Sequence, residues 1–397
     1  MKLFKSLLVA PAALGLLAPM SVSASETNLN DISNYSDEEI EINSSSFGQK
    51  SSSTLLLAGG EGLVDSYGHS HDGGFSETTT ASFSADMYIG AVTGGVRNDS
   101  TEPDELGDAV MAGYSFQIDL NTSFTGEDSL DISIDAGNTS ADALGIVEFD
   151  GNATGDKLTV DGVSYTFPLG EKMTVIVGDN TDGSALFTTS CTYGGPTNTL
   201  DDCGNVNAGI TNGGAMVGAS YDFGTGFAIA GGYAAGESDM ATGLMTKETL
   251  DAYGVNASYT GDNFGISVTY GLVETSSADE DTFTAFNGYY SPDGFPSISV
   301  GYEIGEDGSV ADKSADELTS FFVGLQFDEL GPGTAGVALG TKTPTVEKTD
   351  EQYMYEAYYS YPINDGMTIT PVVFIKETST AGVDDETGVM VKTSFSF

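Results

Sequence analysis

Residues 389–397 read VMVKTSFSF and alternate strictly between two kinds of side chain. Successive side chains of a β-strand point to opposite faces, so this alternation predicts a strand with one apolar and one polar face. The apolar face carries Val389, Val391, Thr393, Phe395 and Phe397. The polar face carries Met390, Lys392, Ser394 and Ser396. A terminal phenylalanine gains nothing in water, where chain ends usually fray, so we expect the apolar face to lie against an apolar medium.

Similar runs recur from residue 81 onward, each about eight to twelve residues long and followed by Gly, Asp, Asn, Ser or Thr. Sixteen such runs can be distinguished: SFSADMYIGA, YSFQIDLNTSF, SLDISIDA, KLTVDGVSYTF, KMTVIVG, AMVGASYDF, GFAIAGGYA, DAYGVNASYT, NFGISVTYG, TAFNGYYS, FPSISVGYE, TSFFVGLQF, GTAGVALGT, QYMYEAYYSY, MTITPVVFI and VMVKTSFSF.

The connections between these runs differ in length according to whether they follow an even-numbered or an odd-numbered run. Those after even-numbered runs are short: TGED, PLGE, GT, GD, PDG, DELGP and PINDG. Those after odd-numbered runs are longer, about ten residues or more, and rich in Asp, Glu, Thr and Ser. A soluble sandwich gives no reason for this sorting, whereas outer-membrane barrels have short periplasmic turns and long outer loops. The sequence therefore predicts an all-β fold, a sixteen-stranded antiparallel transmembrane up-and-down barrel.

The faces of the runs agree with a barrel that has lipid outside and water inside. In YSFQIDLNTSF, Phe116 and Ile118 oppose Gln117 and Asp119. The polar positions predict a set of lumen-facing charged residues: Asp86, Asp119, Asp131, Asp135, Glu356 and the cation Lys392. The apolar positions of the fourteenth run predict aromatic residues at the membrane interfaces: Tyr353, Tyr355, Tyr359 and Tyr361.

The start of the chain reads as a secretory signal peptide. Lys2 and Lys5 precede the apolar stretch 7–17, and the small residues 22–24 suggest cleavage after Ala24. We therefore divide the chain into a signal peptide (1–24), an acidic, Ser-rich N-terminal segment (25–80) and the barrel (81–397). Export also favours a disulfide between Cys191 and Cys203, because a metal site built on two thiols would need further ligands nearby.

This combination of leader, alternating strands, long third outer loop and terminal aromatic strand resembles the outer-membrane porins of Gram-negative bacteria. The stretches MKLFKSLLVAPAALGLLAP, NDISNYS, YSFQIDLNTSFTGEDSL and DGVSYTFPLGEKMTVIVGDN are similar to cyanobacterial porins, closest to marine picocyanobacterial members labelled iron-uptake or carbohydrate-selective porins. That family usually carries a peptidoglycan-binding domain and a coiled coil before the barrel, and residues 25–80 resemble neither. The resemblance implies localisation in the cell outer membrane, contact with its lipid and lipopolysaccharide, and assembly as a homotrimer.

The resemblance also implies that the third outer loop, from residue 178 to about 212, folds into the lumen and narrows it. Asp182, Asp201 and Asp202 are then candidates for the acidic side of the constriction. The alternative is that these acids face solvent outside the cell.

Charge favours cations as the permeant species. The chain has 59 acidic and 12 basic residues and a formal net charge of −47, which excludes nucleic acid as an electrostatic partner. Arg97 is the single arginine, so no basic ladder opposes the acids, and carboxylates attract cations into a pore.

We expect passive, cation-preferring diffusion of small hydrophilic solutes. One alternative is a channel selective for iron species or carbohydrates, with Tyr88, Phe322 and Tyr358 as an aromatic track; another is a plugged adhesin.

Catalytic and metal sites have little support in the sequence. No G-x-S-x-G motif is present and both histidines precede the barrel runs, so we expect no enzyme and no cofactor. His69, His71 and Asp72 form a weak metal motif in a Gly- and Ser-rich stretch, for which a solvated linker is the favoured interpretation.

Overall fold

A computed structural model describes residues 78–95, 110–139, 146–149, 151–211, 214–236, 244–245, 250–275, 279–310, 316–380 and 382–397. The predicted signal peptide, nearly all of segment 25–80, the candidates His69, His71 and Asp72, and Arg97 lie outside these residues. Among the residues that are described, no helix is long and apolar enough to cross a membrane.

The described residues form one 3₁₀ helix, Ile146–Phe149, and a sheet of seventeen strands. The strands are β1 (Thr79–Thr93), β2 (Met111–Thr122), β3 (Ser129–Gly137), β4 (Thr159–Pro168), β5 (Met173–Asp179), β6 (Ala215–Asp222), β7 (Phe227–Ala235), β8 (Asp251–Thr260), β9 (Phe264–Glu274), β10 (Glu280–Tyr290), β11 (Ser297–Glu306), β12 (Glu317–Leu330), β13 (Gly333–Thr341), β14 (Thr345–Val346), β15 (Tyr353–Asn364), β16 (Met367–Lys376) and β17 (Glu386–Ser396).

The sheet closes on itself as an antiparallel barrel. The two-residue β14 pairs only with the end of β12, and the other sixteen strands each pair with their neighbours in chain order. Closure comes from β17, which returns to β1 with Ser396 opposite Ser84 and Thr387 opposite Thr93. Closure leaves no unpaired edge, which a sheet surrounded by lipid cannot tolerate. The sixteen predicted strands and the transmembrane barrel class are confirmed.

One predicted connection is wrong. Strand β9 extends to Glu274 and β10 begins at Glu280, so only residues 275–279 join them. The expected long loop there is instead the shortest connection on its rim, because the acidic residues at both ends continue the ladder pairing, with Glu280 opposite Glu274.

The two faces of the wall differ in the predicted sense. On β9 the side chains of Phe264, Ile266 and Val268 are exposed outward, whereas Ser267 and Thr269 are buried inside the barrel. A soluble β-sandwich would bury the apolar face instead. The arrangement is therefore the one required when lipid lies outside and polar groups lie inside.

Outward aromatic side chains occur near both rims. On β15, Tyr353 and Tyr355 lie towards the long-loop end, and their hydroxyls donate hydrogen bonds to Glu351 and Glu377. Tyr359 and Tyr361 lie at the other end of the same strand, with ring centroids 6.3 Å apart. Phe397 stacks on Phe83 at 5.8 Å, outside the barrel. Aromatic residues in these positions suit the two membrane interfaces.

The turn between β2 and β3 is organised around the carboxylate of Asp128. That carboxylate accepts five hydrogen bonds: from Ser123 Oγ (2.8 Å), Phe124 N (2.9 Å), Thr125 N (2.8 Å), Thr125 Oγ1 (2.9 Å) and Tyr165 Oη (2.6 Å). The bond from Tyr165 is the largest cause that holds the pKa of Asp128 well below its ordinary value. The turn is thereby tied to β4, one strand further on.

We expect the substitution Asp128→Asn to lower the thermal unfolding temperature at pH 7 by a few degrees. The pKa of Asp128 is lower in the folded than in the unfolded chain, so its stabilisation is present above the ordinary carboxyl pKa and is lost as the pH falls below it. The difference between wild type and variant should therefore shrink between about pH 4 and pH 2. Heat-dependent gel migration across this pH range measures it. The exposed Asp293, changed to Asn, is the control, and a pH-independent difference would contradict the assignment.

Candidate functional site

The connection between β5 and β6 folds back into the barrel, and its residues 180–211 are here called the docked loop. Four backbone N–H groups of this loop, at every second residue, donate hydrogen bonds to side chains on the inner wall. Each acceptor lies on a later strand than the one before it. The bonds are Thr188 N to Asn256 Oδ1 on β8 (3.1 Å), Ser190 N to Ser267 Oγ on β9 (2.9 Å), Thr192 N to Ser299 Oγ on β11 (2.9 Å) and Gly194 N to Gln326 Oε1 on β12 (2.7 Å). The loop therefore runs around the inner wall and is bonded to it step by step.

The return half of the docked loop is held by a second set of contacts. The buried carboxylate of Glu303 on β11 accepts hydrogen bonds from Asn207 N (2.8 Å), Asn207 Nδ2 (2.9 Å) and Ala208 N (2.7 Å). The amide of Asn287 on β10 donates to the carbonyl oxygen of Cys203 at 2.8 Å. Both halves of the loop thus lie on the same stretch of wall.

Tyr193 is the main aromatic anchor of the docked loop. Its hydroxyl donates to Glu356 at 2.5 Å, and its ring lies 5.3 Å from Phe322 and 5.8 Å from Tyr358. Burial, followed by the nearby Glu356 carboxylate, raises the pKa of Tyr193, so the hydroxyl stays protonated and remains a donor. Glu356 lies on the inner face of β15, and only 4% of it is exposed because the loop covers it.

Glycines on the inner wall make room for the docked loop. A side chain at Gly232 would overlap the carbonyl oxygen of Gly183, and one at Gly301 would overlap that of Cys203. At Gly271 an added Cβ would lie 2.7 Å from the carbonyl oxygen of Ala208. Each glycine lets the loop backbone approach the strand more closely than any other residue would allow.

The predicted disulfide between Cys191 and Cys203 is present, with the two Cα atoms 6.4 Å apart. It closes a lobe of the docked loop that contains Gly195, Pro196 and Asp201. In the chain-entropy model, a bridge that closes a loop of this size stabilises the folded chain by about 3 kcal/mol, because it lowers the conformational entropy of the unfolded chain. The bridge therefore restricts the part of the loop that lies farthest from its two ends.

A cavity of about 480 Å³ lies between this lobe and the opposite inner wall. Its lining is mainly polar and comprises Ser84, Ala85, Asp86, Tyr88, Ser115, Phe116, Gln117, Phe149, Asn152, Asp161, Gly195, Pro196, Asp201 and Lys392. We call it the passage. Three carboxylates and a single ammonium group line it, and that ammonium, Lys392 Nζ, lies 3.1 Å from Asp86 Oδ2.

The predicted acids of β2 and β3 each accept hydrogen bonds from neutral side chains on the same two strands or on β4. Asp119 is opposite Ser133, and Asp119 Oδ1 accepts from Ser133 Oγ at 2.7 Å. Asp131 is opposite Asn121 and accepts from its amide at 2.6 Å. Asp135 accepts from the hydroxyl of Thr159. Neutral hydroxyl and amide groups, rather than cations, thus hold these three carboxylates.

The three acids predicted for the docked loop occupy different places. Asp201 lines the passage, and Asp202 is exposed and lies one residue before the buried Cys203. Asp182 is exposed near the start of the loop; desolvation by the surrounding protein, followed by the charge of Asp161, raises its pKa. The residues described by the structure contain no group of three or more His, Cys, Asp or Glu placed to hold a metal ion.

Several residues of the site were not predicted from the sequence. The wall partners Asn256, Ser267, Ser299, Gln326 and Glu303 are ordinary inward polar positions in their runs, and only the loop distinguishes them. Inward glycines on β7, β9 and β11 were an available indication, because Gly in a strand often marks close backbone approach.

Comparison with known proteins supports the fold. No protein-family model and no curated protein matches the chain. Among solved structures, Pseudomonas putida OprB aligns over 81% of this chain and 94% of its own, with 12% identity and a TM-score of 0.56. A loop-deletion variant of the outer-membrane protein OmpT of Vibrio cholerae aligns over 81% and 100%, with 9% identity and a TM-score of 0.53. A variant of the porin of Rh. blastica aligns over 80% and 100%, with 14% identity and a TM-score of 0.51. The chain thus has the barrel fold of outer-membrane porins.

We expect the substitution Gly301→Ala to loosen the docked loop, because the added methyl group would overlap the Cys203 carbonyl oxygen. Chymotrypsin is the suitable probe, since the loop contains Tyr193 but neither lysine nor arginine. Cleavage after Tyr193 should become several-fold faster while the barrel keeps its heat-dependent migration. Gly231→Ala is the matched control, because that position faces outward with its nearest atom at 3.7 Å. Equal cleavage of both variants would contradict close docking at Gly301.

Proposed function

We propose that the chain is an outer-membrane porin through which small hydrophilic solutes and ions diffuse passively, with a preference for cations. The observation that carries the proposal is the polar passage between the docked loop and the opposite inner wall. A closed barrel with lipid outside and such a passage inside offers water-soluble molecules a route across the membrane. The proposal assigns the chain no catalytic step.

The preference for cations rests on the charges along this route. Asp86, Asp161 and Asp201 line the passage, and Lys392 is already paired with Asp86. The acids of β2 and β3 extend the negative wall beyond the passage. Inside a low-dielectric wall these charges act more strongly than in bulk water, so they favour cations over anions in the pore.

A carbohydrate-selective channel, the alternative suggested by the cyanobacterial resemblance, would need aromatic rings open to the route. Tyr88, Phe322 and Tyr358 face inward but are only 2%, 1% and 6% exposed. The docked loop covers Phe322 and Tyr358 through Tyr193, and Phe149 covers Tyr88. These rings support the loop and the helix rather than a passing sugar, which favours diffusion. A route for iron species would require ligands that the lining of the passage does not bring together.

We further propose that the protein lies in the cell outer membrane and assembles as a homotrimer. The outward apolar surface and its aromatic residues at both rims would contact lipid and, at the long-loop rim, lipopolysaccharide. Native mass spectrometry of detergent-extracted protein tests the trimer directly.

We expect purified protein in a planar bilayer to show open channels whose reversal potential under a KCl gradient is cation-selective. The double substitution Asp86→Asn and Asp201→Asn removes two passage carboxylates, so the ratio of K⁺ to Cl⁻ permeability should fall several-fold. Lys392→Gln should raise that ratio.

Asp350→Asn combined with Asp293→Asn, at two exposed positions outside the lining of the passage, serves as the charge-matched control and should leave the ratio unchanged. Anion selectivity of the wild type would contradict the cation preference. A silent wild-type protein would contradict the porin proposal itself and favour a plugged barrel.

A further inference from the structure

A second outer loop also reaches into the barrel, through the short helix Ile146–Phe149 that lies between β3 and β4. Phe149 is 3% exposed, and its ring stacks on that of Tyr88 with centroids 5.4 Å apart. Phe149 belongs to the lining of the passage, together with Asn152 from the same connection. This helix, here called the second-loop helix, therefore occupies space beside the route.

An ion pair attaches the second-loop helix to β16, which is separated from β1 by β17 alone. Glu148 pairs with the ammonium group of Lys376 at the end of β16, and the exposed fractions of the two side chains are 5% and 13%. The pair joins residues 228 positions apart in the chain. A buried ion pair of this kind is costly to break from one side, because the remaining charge is left without compensation.

The same glutamate also contacts the docked loop. Thr199 Oγ1 donates to Glu148 Oε2 at 2.9 Å, and Asn198 N donates to the backbone carbonyl of Glu148 at 2.7 Å. One residue thus connects the wall at Lys376 with the lobe of the docked loop that faces the passage. The second-loop helix fills the space between them.

We propose that Lys376 is a positioning residue that holds the second-loop helix in the lumen as a second constriction, which sets the upper size of the solutes that pass. The inference rests on the proposed diffusion function and adds a size-limiting element to it. The charge of Lys376 is neutralised by Glu148, so its main effect is on the width of the passage. Its removal should therefore change conductance and size limit more than charge selectivity.

The first test compares the conductance and size limit of Lys376→Gln and Glu148→Gln with the wild type. Single-channel conductance should rise about two-fold, and liposome swelling should extend to larger neutral sugars that the wild type excludes. Lys342→Gln is the matched control: Lys342 lies at the long-loop end of β13 and donates to the backbone carbonyl of Glu377 at 2.9 Å, without contact to Glu148. Lys376→Arg, which retains the charge, should restore the wild-type values.

Wild-type conductance and an unchanged sugar limit in Lys376→Gln would overturn the inference while leaving the diffusion function intact. A change confined to the reversal potential would also overturn it, because Lys376 would then act as a pore charge. Failure of the wild type to conduct would instead contradict the diffusion function.

The second test does not depend on conduction. The variant Phe149→Cys is reacted with a bulky, membrane-impermeant maleimide, alone and together with Lys376→Gln. Because position 149 is buried, the thiol should react slowly in the first case and at least ten-fold faster in the second. Equal rates would mean that Lys376 does not hold the helix, whatever the channel conducts.

Discussion

The hydrogen bonding of the docked loop to the inner wall is the interaction on which the rest of the site depends. A loop inside a barrel must find partners for its backbone N–H groups, since a buried unpaired group costs about as much as a lost hydrogen bond. Asn256, Ser267, Ser299 and Gln326 supply acceptors on successive strands. The loop position, and with it the width of the passage, follows from that row of side chains.

The inner wall is consequently divided into two parts with different tasks. From β7 to β15 its inward positions carry glycines, small hydroxyl groups and the rings of Phe322 and Tyr358, all beneath the docked loop. From β17 through β4 it carries Asp86 and Asp161, which line the passage, and Asp119, which lies on the neighbouring inner face of β2. One half of the barrel holds the loop and the other half presents charge to a solute.

The sequence was sufficient for the barrel because lipid and water impose a period of two on every strand. The same period predicts that Asp119 and Glu356 both lie on the inner face, but it does not show which of the two a loop covers. Asp119 lies on the uncovered wall, whereas Glu356 lies beneath Tyr193. The difference depends on where a loop 163 residues away in sequence comes to rest, and periodicity contains no such information.

Two further features of the structure could not be predicted from the sequence: the position of Asp161 and the partner of Glu148. Ser133 pairs with Gly162 and Ile134 pairs with Val160, so Asp161 is an extra residue in β4, and it lies in the lining of the passage. A pattern read as one regular strand cannot show such a bulge. The pairing of Glu148 with Lys376 escapes sequence reasoning for a similar reason, because nothing in either residue's neighbourhood points to the other.

The position of the docked loop is tested most directly by a cross-link between the loop and the wall. Thr192 Oγ1 and Ser299 Oγ lie 3.0 Å apart, so cysteines at both positions are within reach of a disulfide. We expect Thr192→Cys with Ser299→Cys to cross-link spontaneously and to leave single-channel conductance unchanged. Pairing Thr192→Cys with Ile298→Cys, which faces outward, should give no cross-link. A Thr192–Ser299 pair that stays reduced under oxidising conditions, or that cross-links only with a changed conductance, would contradict the docked loop as the element that shapes the passage.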